Sequence, residues 1–375
     1  MRAPHVGINA QLVASPGTYR SAGISGYIDG LLSHLPAAAP RYRLSAWVPQ
    51  AHPGWPGVAQ RVTGVAEDRV RRRIVWEQTA LPLQARRLRV DLFHGPAFAL
   101  PAIGGVPSVV SVPDLSFRLF PAYHPRGRRL YLDLITRLSL ARARAVIAIS
   151  ESTKQDICRL YGVPAQRVHV THLGVDERFS PPTEAAKCAF RQKTGLGPYI
   201  YYQGTLEPRK NLNLLVEAYR QLQQAGEVGH RLVLGGAPGW GYEAIREAVV
   251  RHGLEEQVLF LGYVSPAESP QWYGAADLFV YPSAYEGFGL PPLEAMACGT
   301  PVVTANTSSL PEVVGEAGMM VTPGDGTVLA EAMGRLLGDA ELRAELGRAG
   351  HRRALSFTWA ATAAATAEVY RKCLA

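Results

Sequence analysis

The chain is poor in the features that mark several large protein classes. Cysteine is scarce, with four in 375 residues, at Cys158, Cys188, Cys298 and Cys373. Their wide scatter fits neither a zinc site nor a dense disulfide framework, so they read as buried or reduced thiols. No apolar run approaches the ~20 residues needed to span a bilayer. The opening segment MRAPHVGINA lacks the hydrophobic region of a signal peptide, and a cytoplasmic location is expected. There is no D-x-D triplet and no Cys/His ligand cluster, so neither a metal nor a cofactor is expected. The first glycine loop carries Gly17, Ser21, Gly23, Ser25 and Gly26. Its spacing is not G-x-G-x-x-G and no acidic residue follows at the expected place, which argues against a nicotinamide enzyme. RNP, zinc-finger and helix-turn-helix signatures are also missing, and no nucleic acid partner is expected.

What is present points to two α/β domains. The length predicts two domains more readily than one, and 47% apolar residues is enough for two cores. The formal charge of +8 is uneven. Residues 1–175 hold 22 Lys/Arg against 9 Asp/Glu, and the remainder holds 17 against 22. Most cations of the first half are arginines, some in runs such as Arg71-Arg72-Arg73, Arg86-Arg87 and Arg126 to Arg129. Such runs suit phosphate or an anionic lipid surface, or form a solvated basic face.

Short, apolar, mostly β-branched runs alternate with helical stretches. Strands are expected at Val6 to Ala10, Arg43 to Val48, Asp91 to His94, Ser108 to Val112, Ala145 to Ile149 and Val168 to Thr171. Helices are expected near Tyr27 to Leu35, Ile74 to Arg89, Pro125 to Arg144 and Glu151 to Tyr161. The proline-rich stretch Gly174 to Gly197 reads as a linker with a helical piece. The alternation then restarts, with strands at Tyr199 to Gln203, Leu232 to Gly235, Val258 to Gly262, Leu278 to Tyr281, Pro301 to Thr304 and Met319 to Val321. An alanine-rich helix, Phe357 to Leu374, ends the chain. This pattern predicts parallel sheets covered on both faces. Domains are expected at 1–175 and 176–356, with 357–375 a final helix.

Ligands of such sheets bind outside the carboxyl ends of strands, which selects particular loops. In YPSAYEGFGLPPLEAMACGTPVV, a strand is followed by a small-residue turn and a helix opened by Pro291 and Pro292. The N–H groups of Gly287, Phe288, Gly289 and Leu290 lie near that helix N-terminus and suit an anion. Glu286 lies in the turn and Glu294 about one helical turn further on. In GTLEPRKNL, Gly204 and Thr205 form a turn, and a helix is expected to begin near Arg209-Lys210-Asn211. Two cations there can clamp a diphosphate. They also oppose the helix dipole, so a ligand that offsets them is expected. Gly262, Tyr263 and Val264 end another strand, near the glycine turn Gly235 to Gly241. In the first half, Gly23 precedes the first helix, His94 ends a strand and Asp114 follows one. His94 reads as a hydrogen-bonded loop histidine or a reacting group, and Asp114 as a turn or cap residue or a reacting group.

These motifs resemble the retaining GT-B glycosyltransferases of family 4, including mannosyltransferase-like members. E-G-F-G-L-P-x-L-E and G-T-x-x-x-R-K-N-L carry the resemblance, with DLFHGP, PDLSF and WEQ at Trp76-Glu77-Gln78. It implies two Rossmann-like domains facing across a cleft and a final helix that crosses back to the first. It implies transfer of a hexose from a nucleotide diphosphate sugar, GDP-mannose or a UDP-sugar, to a hydroxyl of a saccharide or lipid-linked acceptor. Configuration is retained and no metal is needed. Arg209, Lys210 and the amides of 287–290 would hold the diphosphate, Glu294 the ribose, and residues 262–264 the base. Glu286 would contact the transferred sugar, with Asp114 and His94 on the acceptor side and Gly23 near the phosphates or the acceptor. The family's histidine before the aspartate is replaced by Pro113. That departure leaves room for a non-catalytic nucleotide-sugar binding protein, and a nucleotide-sugar epimerase on the same fold is a further alternative. Peripheral contact with an anionic membrane face is a further expectation.

Overall fold

The computed structural model describes residues 2–14, 23–66, 69–226 and 229–375. The chain divides into two units: Met1–Gly174 with Thr358–Ala375, and Val175–Phe357. Gly17 and Ser21 of the first glycine loop lie outside the described residues.

In the first unit the strands are β1 (His5–Asn9), β2 (Arg43–Val48), β3 (Val58–Val62), β4 (Leu92–Gly95), β5 (Ser108–Val112), β6 (Ala145–Ala148) and β7 (Val168–Val170). All pair in parallel, in the order β3-β2-β1-β4-β5-β6-β7. Its helices are α1 (Ile24–Ala38), α2 (Val70–Arg87), α3 (Ser116–Leu119), α4 (Arg126–Arg142) and α5 (Glu151–Tyr161). Every residue of the central β5 is buried, as expected of a parallel strand covered on both faces. β3 was not expected from the sequence. Its residues VAQRV form an edge strand with Arg61 and Val62 exposed, so it carries no apolar signature.

In the second unit the strands are β8 (Tyr199–Gln203), β9 (Arg231–Gly235), β10 (Val258–Gly262), β11 (Leu278–Tyr281), β12 (Val302–Ala305) and β13 (Met319–Val321). They are also parallel, in the order β10-β9-β8-β11-β12-β13. The helices are α6 (Glu184–Thr194), α7 (Leu212–Gln224), α8 (Tyr242–Arg251), α9 (Ser269–Ala275), α10 (Leu290–Ala297), α11 (Leu310–Val314), α12 (Gly326–Gly338) and α13 (Ala340–Ala354). The last helix, α14 (Trp359–Leu374), belongs to the first unit. Thr358 caps it, its side chain accepting from Ala361 N at 3.1 Å. Trp359 lies so close to Gly30 of α1 that a side chain at Gly30 would overlap the indole.

Strand order reverses between β1 and β4 in one sheet and between β8 and β11 in the other. These switch points are where parallel sheets open a crevice for ligands. Among the described residues no helix is long and apolar enough to cross a membrane.

Candidate active site

The loops after β8 and β11 emerge side by side at the second switch point, and they bring the two basic residues to the first glutamate. The segment Pro208–Lys210 is a 3-10 turn, Asn211 adopts a left-handed φ of 55°, and α7 starts only at Leu212. Arg209 and Lys210 therefore precede the helix instead of opening it. Arg209 Nε and one terminal nitrogen donate to Glu207 Oε1 at 3.1 and 2.8 Å. Its other terminal nitrogen reaches the Tyr285 carbonyl and lies 3.6 Å from Glu286. Lys210 is 6% exposed; it donates to Tyr281 Oη at 2.9 Å and forms an ion pair with Glu286 Oε1. The chain's own carboxylates thus offset both cations, which corrects the expectation that a ligand must do so.

Three further details fix Glu286. Ser283 Oγ donates to its Oε1 at 2.6 Å, Tyr281 Oη donates to the same oxygen at 3.0 Å, and its backbone N–H donates to Ser308 Oγ at 2.9 Å. Burial opposes the charge of Glu286, but Lys210, Arg209 and Ser283 outweigh burial and hold its pKa down at about 2. Burial pulls the Lys210 ammonium below its ordinary value, and Glu286 resists that pull. All the contacts to the carboxylate engage Oε1, and Oε2 makes no hydrogen bond among the described residues.

Glu294 is wired alike but titrates in the opposite direction. Tyr273 of α9 donates to its Oε2 at 2.8 Å, and its Oε1 makes no hydrogen bond among the described residues. Burial dominates here; Tyr273 and Arg178 offset only part of it, and the pKa rises to about 7. Each glutamate therefore has one oxygen anchored by a tyrosine and one open. One is firmly ionised and the other is poised near neutrality.

The helix that carries Glu294 starts as expected. Gly289 precedes it at φ 117°, a conformation that favours glycine, and Pro291 and Pro292 occupy its first turn. Ser309 Oγ donates to the Phe288 carbonyl at 2.6 Å and the Glu286 carbonyl at 3.0 Å, bracing the loop that bears Gly287 and Leu290. The glycine turns interlock beside it. Gly204 N donates to Gly235 O at 3.0 Å and Gly236 N to Gly262 O at 2.7 Å. This ties Gly204, Thr205 and the Gly262-Tyr263-Val264 turn to one rim. Tyr263 is 39% exposed and Val264 is buried.

The first-unit candidates behave differently from one another. His94 is fully buried; its Nδ1 bonds Tyr370 Oη at 2.6 Å and its Nε2 bonds Ser111 Oγ at 2.8 Å. Burial lowers its pKa to about 3. With both ring nitrogens engaged inside the sheet, His94 serves as an anchor between α14 and β4, which corrects its expected place among the reacting groups. Asp114 Oδ1 accepts from Ser116 N at 2.8 Å, a turn bond at the start of α3. Gly23 sits at φ 61° before α1, and no atom of the described residues lies within 4 Å of where its side chain would project. Sequence reasoning missed Tyr273, Tyr281 and Ser283, whose hydroxyls are invisible in an apolar pattern, and Glu207, which stood inside a quoted motif. Among the described residues no three His, Cys, Asp or Glu side chains converge as a metal site.

Known families and proteins resemble the chain along most of its length. The family described as Glycosyltransferase Family 4 matches residues 31–179, and that described as Glycosyl transferases group 1 matches residues 188–353. The chain is 36% identical over 282 residues to O-antigen chain mannosyltransferase B of Escherichia coli, covering 75% of this chain and 74% of that one. Sucrose-phosphate synthase from Thermosynechococcus elongatus shares the fold with a TM-score of 0.79 at 22% identity, over 98% of each chain. HepE of Anabaena in complex with UDP-glucose does so with a TM-score of 0.77 at 21% identity, over 98% of this chain and 99% of that one. Fold and site together define a GT-B glycosyltransferase, an enzyme that moves a sugar from a nucleotide sugar to an acceptor. The chain belongs to glycosyltransferase family 4.

Proposed function

We propose that the chain is a retaining, metal-independent mannosyltransferase that moves mannose from GDP-mannose to a hydroxyl of a saccharide or lipid-linked acceptor. The observation that carries this reading is the pairing of Arg209 and Lys210 with Glu286 at the switch point, beside the helix that bears Glu294. The hard step is departure of the diphosphate while the sugar becomes oxocarbenium-like, and the protein's main task is to stabilise the leaving charge. Arg209, Lys210 and the amides of 287–290 supply that stabilisation. Each cation within ~4 Å of a phosphate oxygen contributes up to about 4 kcal/mol at an effective dielectric near 20, less the desolvation of both ions. The open oxygen of Glu294 accepts from ribose hydroxyls, and that of Glu286 accepts from the transferred sugar. Gly262, Tyr263 and Val264 border the base. Retention by same-face attack leaves Glu286 as an orienting carboxylate. The mannose assignment follows the mannosyltransferase relative. Asp114 remains an acceptor-side residue of this reading, and Gly23 lies near the phosphates or the acceptor.

The test is nucleotide diphosphate release from GDP-mannose, UDP-glucose, UDP-N-acetylglucosamine, UDP-galactose and GDP-fucose, with EDTA present. Release from GDP-mannose that is lost in Glu294→Ala supports the reading. Release from a UDP-sugar only would reassign the donor, and dependence on added metal would remove the metal-independent claim.

A second part of the proposal is contact with an anionic membrane through the outer faces of α2 and α4. Leu130, Leu134 and Leu138 recur every fourth residue on α4 and are 65, 58 and 43% exposed. Val75 and Leu83 on α2 and Ile103 on the intervening loop are 62, 55 and 79% exposed. The three segments are joined, since Gln78 bonds Leu100 and Ala102, and Arg142 bonds Ala102. Exposed Arg71, Arg72, Arg126 and Arg128 flank the apolar residues. The acidic residues of these two helices are Glu77, which is buried, and Asp133, which is bridged to Arg118. Aliphatic side chains rimmed by arginine suit an anionic lipid interface. Flotation with anionic vesicles that is lost on changing all three leucines to serine is the expected result. Absence from vesicles at both low and high salt would refute it.

A further inference from the structure

Among the described residues, three buried polar atoms without partners belong to one hydrogen-bonded network in the first unit. Glu77 is 2% exposed, and its Oε1 accepts from Asn9 Nδ2 at 3.0 Å and from Arg73 at 3.1 Å. Its Oε2, Arg73 Nε and Gln11 Oε1 have no hydrogen-bond partner among the described residues. Gln11 is fully buried and joins the same network, its N–H donating to Asn9 Oδ1 at 3.3 Å and its Nε2 to Thr63 Oγ1 at 2.8 Å. A folded chain rarely leaves a carboxylate oxygen, an amide oxygen and a guanidinium N–H unpaired together, because each forfeits its hydration.

The position of the network explains why they are kept. Asn9 is the last residue of β1, and β1 borders β4 where the strand order of this sheet reverses. Ligands of parallel sheets bind outside the carboxyl ends of strands at such a point. The unpaired set is two acceptors and one donor around an ion pair of zero net charge. Neighbouring sugar hydroxyls, each a donor and an acceptor, match it; a phosphate, which brings acceptors only, does not. Asn9, Arg73 and Tyr131 are partly exposed and give the network an outer edge. Tyr131 lies within reach of both charges: burial raises its phenol pKa most, Glu77 raises it further and Arg73 lowers it.

We infer that Asn9, Gln11, Arg73 and Glu77 form a subsite for acceptor sugar hydroxyls, received by Glu77 Oε2 and Gln11 Oε1 and met by Arg73 Nε. The inference rests on the glycosyl-transfer reading and narrows the acceptor to one that presents an uncharged polyol face here. It also gives the Trp76-Glu77-Gln78 motif a chemical purpose.

The probe is methyl α-D-mannopyranoside at millimolar concentration, followed by saturation-transfer NMR on the full chain, for wild type, Glu77→Gln and Gln11→Met. GDP affinity, measured by calorimetry on the same samples, reports the second unit separately. The expected result is binding by wild type that weakens about tenfold or more in both variants, with GDP affinity within about twofold. Gln11→Met keeps the Arg73–Glu77 ion pair, so it decides the matter if Glu77→Gln fails to fold. No glycoside binding by wild type, or equal binding by wild type and variants, means that the unpaired atoms hold water only and overturns the inference. Loss of GDP binding by wild type would instead strike at the donor reading and leave the glycoside result standing.

Discussion

Replacing Glu294 with glutamine should stabilise the second unit at pH 8 and change it little at pH 5. Burial raises the pKa of Glu294 to about 7 in the folded chain, against about 4.5 in a solvated carboxyl. The folded state therefore binds the proton more tightly than the unfolded state does. Between pH 4.5 and 7 the unfolded chain releases a proton that the folded chain retains, so stability falls as pH rises through that window. Below 4.5 the carboxyl costs nothing; above 7 the cost is complete. At about 1.36 kcal/mol per pKa unit it reaches about 3 kcal/mol at pH 8 and stays below about 1 kcal/mol at pH 5. Glutamine keeps the oxygen that accepts from Tyr273 and cannot ionise. Urea unfolding of wild type and Glu294→Gln at pH 5 and pH 8, with slopes compared to check for an unchanged denatured state, measures the difference. Equal shifts at the two pH values, or a larger loss at pH 8, would refute the argument. The same variant is expected to lose donor turnover, so the site trades stability for an ionisable acceptor near the ribose.

Other substitutions probe the rest of the site. Lys210→Met leaves the buried Glu286 charge with only the more distant Arg209, 3.6 Å away, as an ion-pair partner, and should cost about 3 kcal/mol at pH 7. Because the Glu286 pKa is depressed to about 2, the stability it supplies is present above about 4.5 and lost toward 2, so the variant's deficit should shrink on acidification, as unfolding at pH 7 and pH 3 will show. His94→Leu strands the hydroxyl of Tyr370 and leaves Ser111 with Tyr27 as its side-chain partner, and should cost about 1–3 kcal/mol without removing nucleotide release; loss of release in a folded variant would restore His94 to the reacting groups. Gly236→Ala would place a methyl group 1.8 Å from the Gly204 carbonyl oxygen at φ 139°, and should destabilise by more than about 3 kcal/mol in thermal melts.

Much of the fold was legible because parallel strands announce themselves. β5, β8 and β11 are apolar runs of four or five residues between turns, and burial on both faces removes the alternation that would disguise them. β3 was illegible for the opposite reason, since an edge strand needs polar residues and VAQRV looks like a loop. Helix starts were legible where a side chain caps them, as Ser150 does for α5 by accepting from Thr153 N at 3.0 Å. The start of α7 was misplaced by a few residues because Asn211 enters it in a left-handed conformation, which no apolar spacing reveals.

Spacing selected the candidate site, while its electrical state depends on contacts distant in sequence. Glu286 and Glu294 are eight apart and look equivalent in a motif. What separates them is Lys210, 76 residues from Glu286, and Tyr273, 21 residues from Glu294. The first supplies a full charge and the second only a hydroxyl, so one carboxyl is driven to about 2 and the other rises to about 7. On the proposed reading, that asymmetry separates the two roles better than order along the chain does. A firmly ionised glutamate held by two cations would tolerate a neighbouring diphosphate and still receive a sugar hydroxyl through its open oxygen. A glutamate near its pKa ionises at little further cost when ribose hydroxyls replace the water it lost on burial.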